Sequence, residues 1–113
     1  MNIIYTPKCL EFSASGHPES PDRLEQAARY LHELGYTFIE PEPCTEEDLL
    51  SVHAASLIEE VKHQSFVSLD TPRYADIFAY AKLAVGGALT AAAENGFSLM
   101  RPPGHHAGRD FLG

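Results

Sequence analysis

Apolar and polar positions along this chain alternate between short runs and a period near 3.6 residues. The run Asn2-Ile3-Ile4-Tyr5, closed by Thr6-Pro7, predicts a first strand. No period holds over residues 8–19, and a loop is expected there. Ser20-Pro21 predicts a helix start, with serine as the cap and proline at the first helical position. Leu24, Ala27, Ala28, Leu31 and Leu34 then share one helical face, and Gly35 predicts its stop. Residues 36–40 are short, aromatic and β-branched, which predicts a second strand, and Pro41-Glu42-Pro43 forms a stiff connector.

Thr45 and Asp48 have the spacing of a capping box, opening a short helix through Leu49, Leu50 and Val52. Ser56 and Glu59 repeat the spacing ahead of a helix with Leu57, Ile58 and Val61 inward. Residues 64–70 are expected to be loop. Thr71-Pro72 predicts the start of the longest helix, with Ile77, Phe78, Ala81, Val85, Ala88, Leu89 and Ala92 facing inward. Gly86-Gly87 lies inside it, at a cost of roughly 1 kcal/mol per residue against alanine. Either a close helix–sheet contact or a local break accounts for that pair. Asn95-Gly96 ends the helix, and Phe97-Ser98-Leu99-Met100 reads as a buried strand. Strands alternating with helices in this order predict a parallel sheet with helices on its faces.

Composition narrows the class without naming a function. A chain of 113 residues holds at most one domain. Hydrophobic content of 44% and charged content of 21% are ordinary for a globular protein. The formal charge is −8, which argues against direct contact with nucleic acid; it is compatible with a cationic substrate, but simple solubility is the preferred reading from charge alone. Cys9 and Cys44 form neither a metal pattern nor a disulfide framework, and both thiols are expected to be reduced. The start lacks the features of a signal peptide, and no segment has transmembrane length. No membrane partner and a cytoplasmic location are therefore expected.

Chemistry concentrates in Arg101-Pro102-Pro103-Gly104-His105-His106-Ala107. Pro102-Pro103 stops the strand, and Gly104 permits a tight turn before two adjacent imidazoles. Residues just past the carboxyl end of a strand face the ligand crevice of an open α/β sheet. Histidines there suit acid–base chemistry, although two adjacent histidines also occur simply as polar loop residues. Arg23 reads equally as an exposed helix-face cation, and Asp70 as a solvated residue ahead of a helix start. His17 and His53 read as structural, hydrogen-bonding loop residues, and His32 and His63 as surface residues without partners.

This stretch resembles the signature of the zinc-dependent histone deacetylase family, which includes the acetylpolyamine amidohydrolases. Gly16-His17-Pro18-Glu19-Ser20-Pro21-Asp22-Arg23-Leu24 resembles that family's amino-terminal element. Val52-His53, and Asp70-Thr71-Pro72 ahead of an Ala/Gly-rich helix, match two further elements in the same order. Ser20 stands where an arginine is common, and Leu57 where a tyrosine is frequent.

The resemblance implies a three-layer α/β fold shared with arginases, of which residues 1–113 form the amino-terminal, incomplete part. It implies hydrolysis of an acetylated amine, a lysine side chain or a polyamine. His106 is then the general base that later protonates the leaving amine, and His105 its electrostatic neighbour. It further assigns Asp70 and Gly104 to substrate binding and Arg23 to an internal channel. The family's zinc ligands, an Asp-x-His motif and a later aspartate, and its transition-state tyrosine come further on. No Asp-x-His triplet occurs in this sequence, so no metal ligand is assigned here and the chain alone is expected to hold no zinc. The last strand is expected to leave an open sheet edge, a route to self-association. The alternative function is a non-catalytic interaction or remnant module derived from a deacetylase.

Overall fold

A computed structural model describes residues 1–68 and 71–112. Its centre is a three-stranded sheet in the order β2-β1-β3, from β1 (Asn2–Ile4), β2 (Thr37–Ile39) and β3 (Phe97–Ser98). Both pairings are parallel, with Ile3 opposite Phe38 on one side and Phe97 on the other. Between the strands run α1 (Asp22–Glu33), α2 (Glu46–Leu50), α3 (Ala55–Lys62) and α4 (Ile77–Ala93). A 3₁₀ turn at Pro7–Leu10 interrupts the stretch expected to be loop.

Strand alternation sorts side chains between two helical layers. Ile3 points to α1, where it packs with Ala28 and Leu99 and with the partly buried Tyr5, Leu24, Ala27, Leu31 and Phe38. Ile4 is fully buried, and the same side of the sheet meets α4. The three layers are thus α1, sheet and α4. Leu34 is exposed rather than inward, because α1 closes just before it. Gly35 at φ 87° donates to His32 O, and Tyr36 donates to Leu31 O, which closes the last turn. Asn95 at φ 51° ends α4 in the same manner, with Gly96 donating to Ala91 O.

Gly86 and Gly87 sit in unbroken helix, and close approach is the reason. A methyl group at Gly86 would collide with the Glu42 carbonyl of the proline-flanked connector, whose Cys44 N–H donates to Lys82 O in α4 (2.9 Å). One at Gly87 would lie 2.7 Å from Met100 Cγ, beyond β3. Helix propensity alone favours Gly86→Ala by roughly 1 kcal/mol, but overpacking against backbone costs typically about 1–3 kcal/mol and decides the sign. Gly86→Ala is expected to lower the urea midpoint; a midpoint at or above wild type would refute this packing.

Several expectations fail at helix starts and faces. Thr45 and Asp48 do form a reciprocal box, at 3.1 and 3.0 Å. Ser56 and Glu59 do not: α3 begins behind Ala54, whose N–H is taken by Arg109 O (2.7 Å). Thr71-Pro72 does not start α4. Arg73 instead donates from Nε and Nη2 to Phe66 O (3.1 and 2.8 Å), Tyr74 packs against Phe12, and Asp76 at φ 60° precedes the first helical residue. On α4 the buried residues are Ile77, Leu83, Gly86, Gly87 and Ala91, whereas Ala88, Leu89 and Ala92 are exposed. This helix is apolar nearly all round, so periodicity does not mark a single inner face.

Among the described residues no helix is long and apolar enough to cross a membrane. Cys9 and Cys44 are unpaired and buried, and burial pushes both thiols above their ordinary range.

Candidate functional site

Beyond β3 the chain keeps one more sheet contact, Leu99 N–H to Ile4 O (2.8 Å). The next charged residue, Arg101, is buried, with 1% of its surface exposed. A buried guanidinium requires a full set of acceptors. Nε and Nη2 donate to the two Glu19 carboxylate oxygens (2.7 Å each), and Nη1 donates to Cys9 O (2.8 Å) and Phe12 O (2.6 Å). Its Cζ lies 3.8 Å from the Phe12 ring centroid. Phe12 in turn packs with Phe66, Ile77, Tyr74 and Tyr80. The stretches Gly-His-Pro-Glu and Arg-Pro-Pro-Gly-His-His, 82 residues apart at the ion pair, are therefore joined by one partly buried bidentate contact.

The Arg101–Pro102 peptide is cis, and Gly104 has φ 65°. Ala107 donates to Gly104 O (3.0 Å), so His105 and His106 occupy the two central positions of a tight turn. Their rings meet edge to face with centroids 4.2 Å apart, and both are exposed. Past the turn, His53 Nδ1 lies 2.8 Å from Gly108 O, Gly108 donates to Phe111 O (2.9 Å), and Leu112 packs onto the Phe12 cluster.

The turn borders a cleft of about 970 Å³. Ile58, Phe66, Ile77, Ala81, Val85 and Met100 supply apolar wall. His17, Arg23, His53, Gly104, His105 and His106 all line the same cleft. Arg23 is exposed and makes no ion pair among the described residues. Asp70 lies outside the described residues. His17 Nδ1 accepts from Glu19 N–H (3.1 Å), as expected of a loop histidine. His63 and His32 do have partners, correcting the expectation: His63 Nε2 is 3.2 Å from Glu59 Oε2, and His32 meets the Phe38 ring at 5.9 Å.

A sequence model of the histone deacetylase domain matches residues 17–112. The chain belongs to the histone deacetylase family. It is 35% identical over 123 residues to a probable deacetylase of Archaeoglobus fulgidus, covering 93% of this chain and 34% of that protein. It is 34% identical over 110 residues to a histone deacetylase-like amidohydrolase of Pseudomonas aeruginosa, covering 83% and 29%. The fold superposes on the crystal structure of the HDA15 HD domain with a TM-score of 0.84 at 30% identity, over 96% of this chain and 37% of that one. The chain thus spans about a third of the length of the relatives it matches.

A deacetylase of this family depends on zinc in its full-length form. Catalytic zinc needs three protein ligands and an open position. Among the described residues no group of three His, Cys, Asp or Glu side chains comes together, so these residues do not fit a zinc site. Sequence reasoning named the histidines around the cleft but gave no role to Arg101 and Glu19. The signal was present in Leu99-Met100-Arg101: a charge continuing a buried apolar run has to find a buried partner.

Proposed function

We propose that residues 1–113 form the amino-terminal portion of a single deacetylase domain and supply its proton-transfer pair. The observation that carries this reading is the His105–His106 turn, set at the border of an apolar cleft behind a buried ion pair. The substrate class is an acetylated primary amine, a lysine side chain or a polyamine, whose methylene chain suits apolar walls. His106 takes a proton from the attacking water and returns it to the leaving amine, and His105 tunes the charge on that ring. Gly104, with Asp70, contacts substrate, and Arg23 lines the channel beneath. The chemistry assigned to this chain is proton transfer, with the metal site contributed by the remainder of the domain.

The 113-residue chain alone is expected to release acetate from acetyl-lysine peptides or acetylated diamines no faster than background. Joined in one polypeptide to the downstream part of the Archaeoglobus fulgidus relative, it should release acetate from one or the other type of substrate at a measurable rate. Turnover by the isolated chain would overturn the division of labour. A folded, zinc-loaded joined protein without turnover would favour an interaction module instead. Self-association of the isolated chain through the outer edge of β3 belongs to the same reading.

A further inference from the structure

The loop bearing His105 and His106 is tied down at both ends, by groups from different parts of the chain. At its root, Arg101 is fixed by Glu19, Cys9 O and Phe12 O. At its exit, His53 Nδ1 meets Gly108 O at 2.8 Å, and the adjacent Ala54 N–H donates to Arg109 O at 2.7 Å. The exit anchor comes from the junction between α2 and α3, 55 residues earlier in sequence than Gly108.

A glycine carbonyl only accepts, so His53 Nδ1 must carry the proton and donate. That fixes the imidazole in the Nδ1–H form when neutral, the less common form of a free histidine in water. Both the neutral ring and its protonated form donate from Nδ1, so the anchor does not depend on the charge of His53. The half-buried ring stands at the cleft, with its backbone neighbour Ala54 bonded to the same strand of loop. Between the two anchors the backbone bond from Ala107 to Gly104 closes the turn. Held at both ends rather than one, the backbone that carries exposed His105 and His106 has fewer conformations to sample.

We propose that His53 is a positioning residue, the exit half of a two-point clamp whose root half is the Arg101–Glu19 pair, and that this clamp sets where the His105–His106 turn stands in the cleft. What the clamp serves rests on the reading of His106 as the base, but the clamp itself does not.

The test uses the 113-residue chain with ¹⁵N-labelled histidine, and His53→Asn and His53→Phe variants. Asparagine keeps a donor near the position of Nδ1, whereas phenylalanine keeps a ring and loses the donor. Long-range ¹H–¹⁵N correlation is expected to show wild-type His53 as the Nδ1–H tautomer. In His53→Phe, amide exchange at Ala54 and Ala107 should accelerate about tenfold, the loss of one hydrogen bond, while Leu99 exchange stays unchanged. His53→Asn should restore slow exchange. An Nε2–H tautomer in wild type, or indistinguishable Asn and Phe variants, would overturn the clamp. Where His53→Phe unfolds and Leu99 exchanges too, the wild-type tautomer decides. An active His106→Ala joined protein beside intact clamp signatures would sink the catalytic reading and leave the clamp standing.

Discussion

Arg101→Leu is expected to cost this chain about 2–4 kcal/mol, below the roughly 3–5 kcal/mol for breaking a wholly buried pair because Glu19 keeps partial contact with solvent. The residue is 1% exposed, and Glu19 is its ion-pair partner at 2.7 Å. Leucine would leave the Glu19 carboxylate without its fork and the Cys9 and Phe12 carbonyls without a donor. It would also remove the guanidinium stacked on Phe12, loosening the cluster that joins α4 to the loop after β1. Against a total stability of about 5–15 kcal/mol, such a loss removes much of the cooperative transition. Replacing both partners, Arg101→Leu with Glu19→Leu, should cost less than the two single changes summed, because no lone charge remains buried. Urea unfolding followed by circular dichroism reads both. A single variant within 1 kcal/mol of wild type would mean that the pair is solvated and holds nothing together, a value at the range of exposed pairs, about 0–1 kcal/mol.

The parts of this fold legible in the sequence are those governed by local chemistry. Gly35 and Asn95-Gly96 mark helix ends because the left-handed conformation at φ 87° and 51° is a backbone requirement that few residues meet. The Thr45–Asp48 box is equally local. Thr71-Pro72 carried as good a local signal and misled, because Arg73 and Tyr74 are engaged by Phe66 and Phe12 from elsewhere in the chain. Ser56 is no cap because the helix already begins at Ala55, behind an Ala54 whose N–H is held by Arg109 O from far along the chain. Gly86-Gly87 announced a close contact but not its partners, since the connector at Glu42 reaches α4 only in three dimensions. The histidines of the cleft were legible through their motif. Their supports were not, because Arg101 with Glu19 and His53 with Gly108 are pairings across 82 and 55 residues that no local spacing encodes.

The same distinction separates two roles at the turn. His105 and His106 are exposed, edge to face, and at a cleft, so their removal disturbs little packing. His106→Ala should therefore leave the fold and its unfolding midpoint near wild type. Under the role proposed for it, its effect belongs to chemistry. A positioned histidine that transfers protons contributes typically about 10²–10⁴-fold to rate. Because the role proposed for His106 is base and not ligand, its loss should leave in place a metal held by the rest of a complete domain. His105→Ala should fall short of the same loss, since the role proposed for it is to act on the charge of its neighbour rather than on the proton itself.

The decisive measurement is made on the chain joined to the downstream segment of its Archaeoglobus fulgidus relative, with acetate release and zinc content followed in parallel for wild type and His106→Ala. The account predicts a rate lower by about 10²–10⁴-fold with zinc content unchanged. Zinc lost together with activity would make His106 a ligand, and activity retained without His106 would remove it from the reaction; either result contradicts the role assigned to the turn.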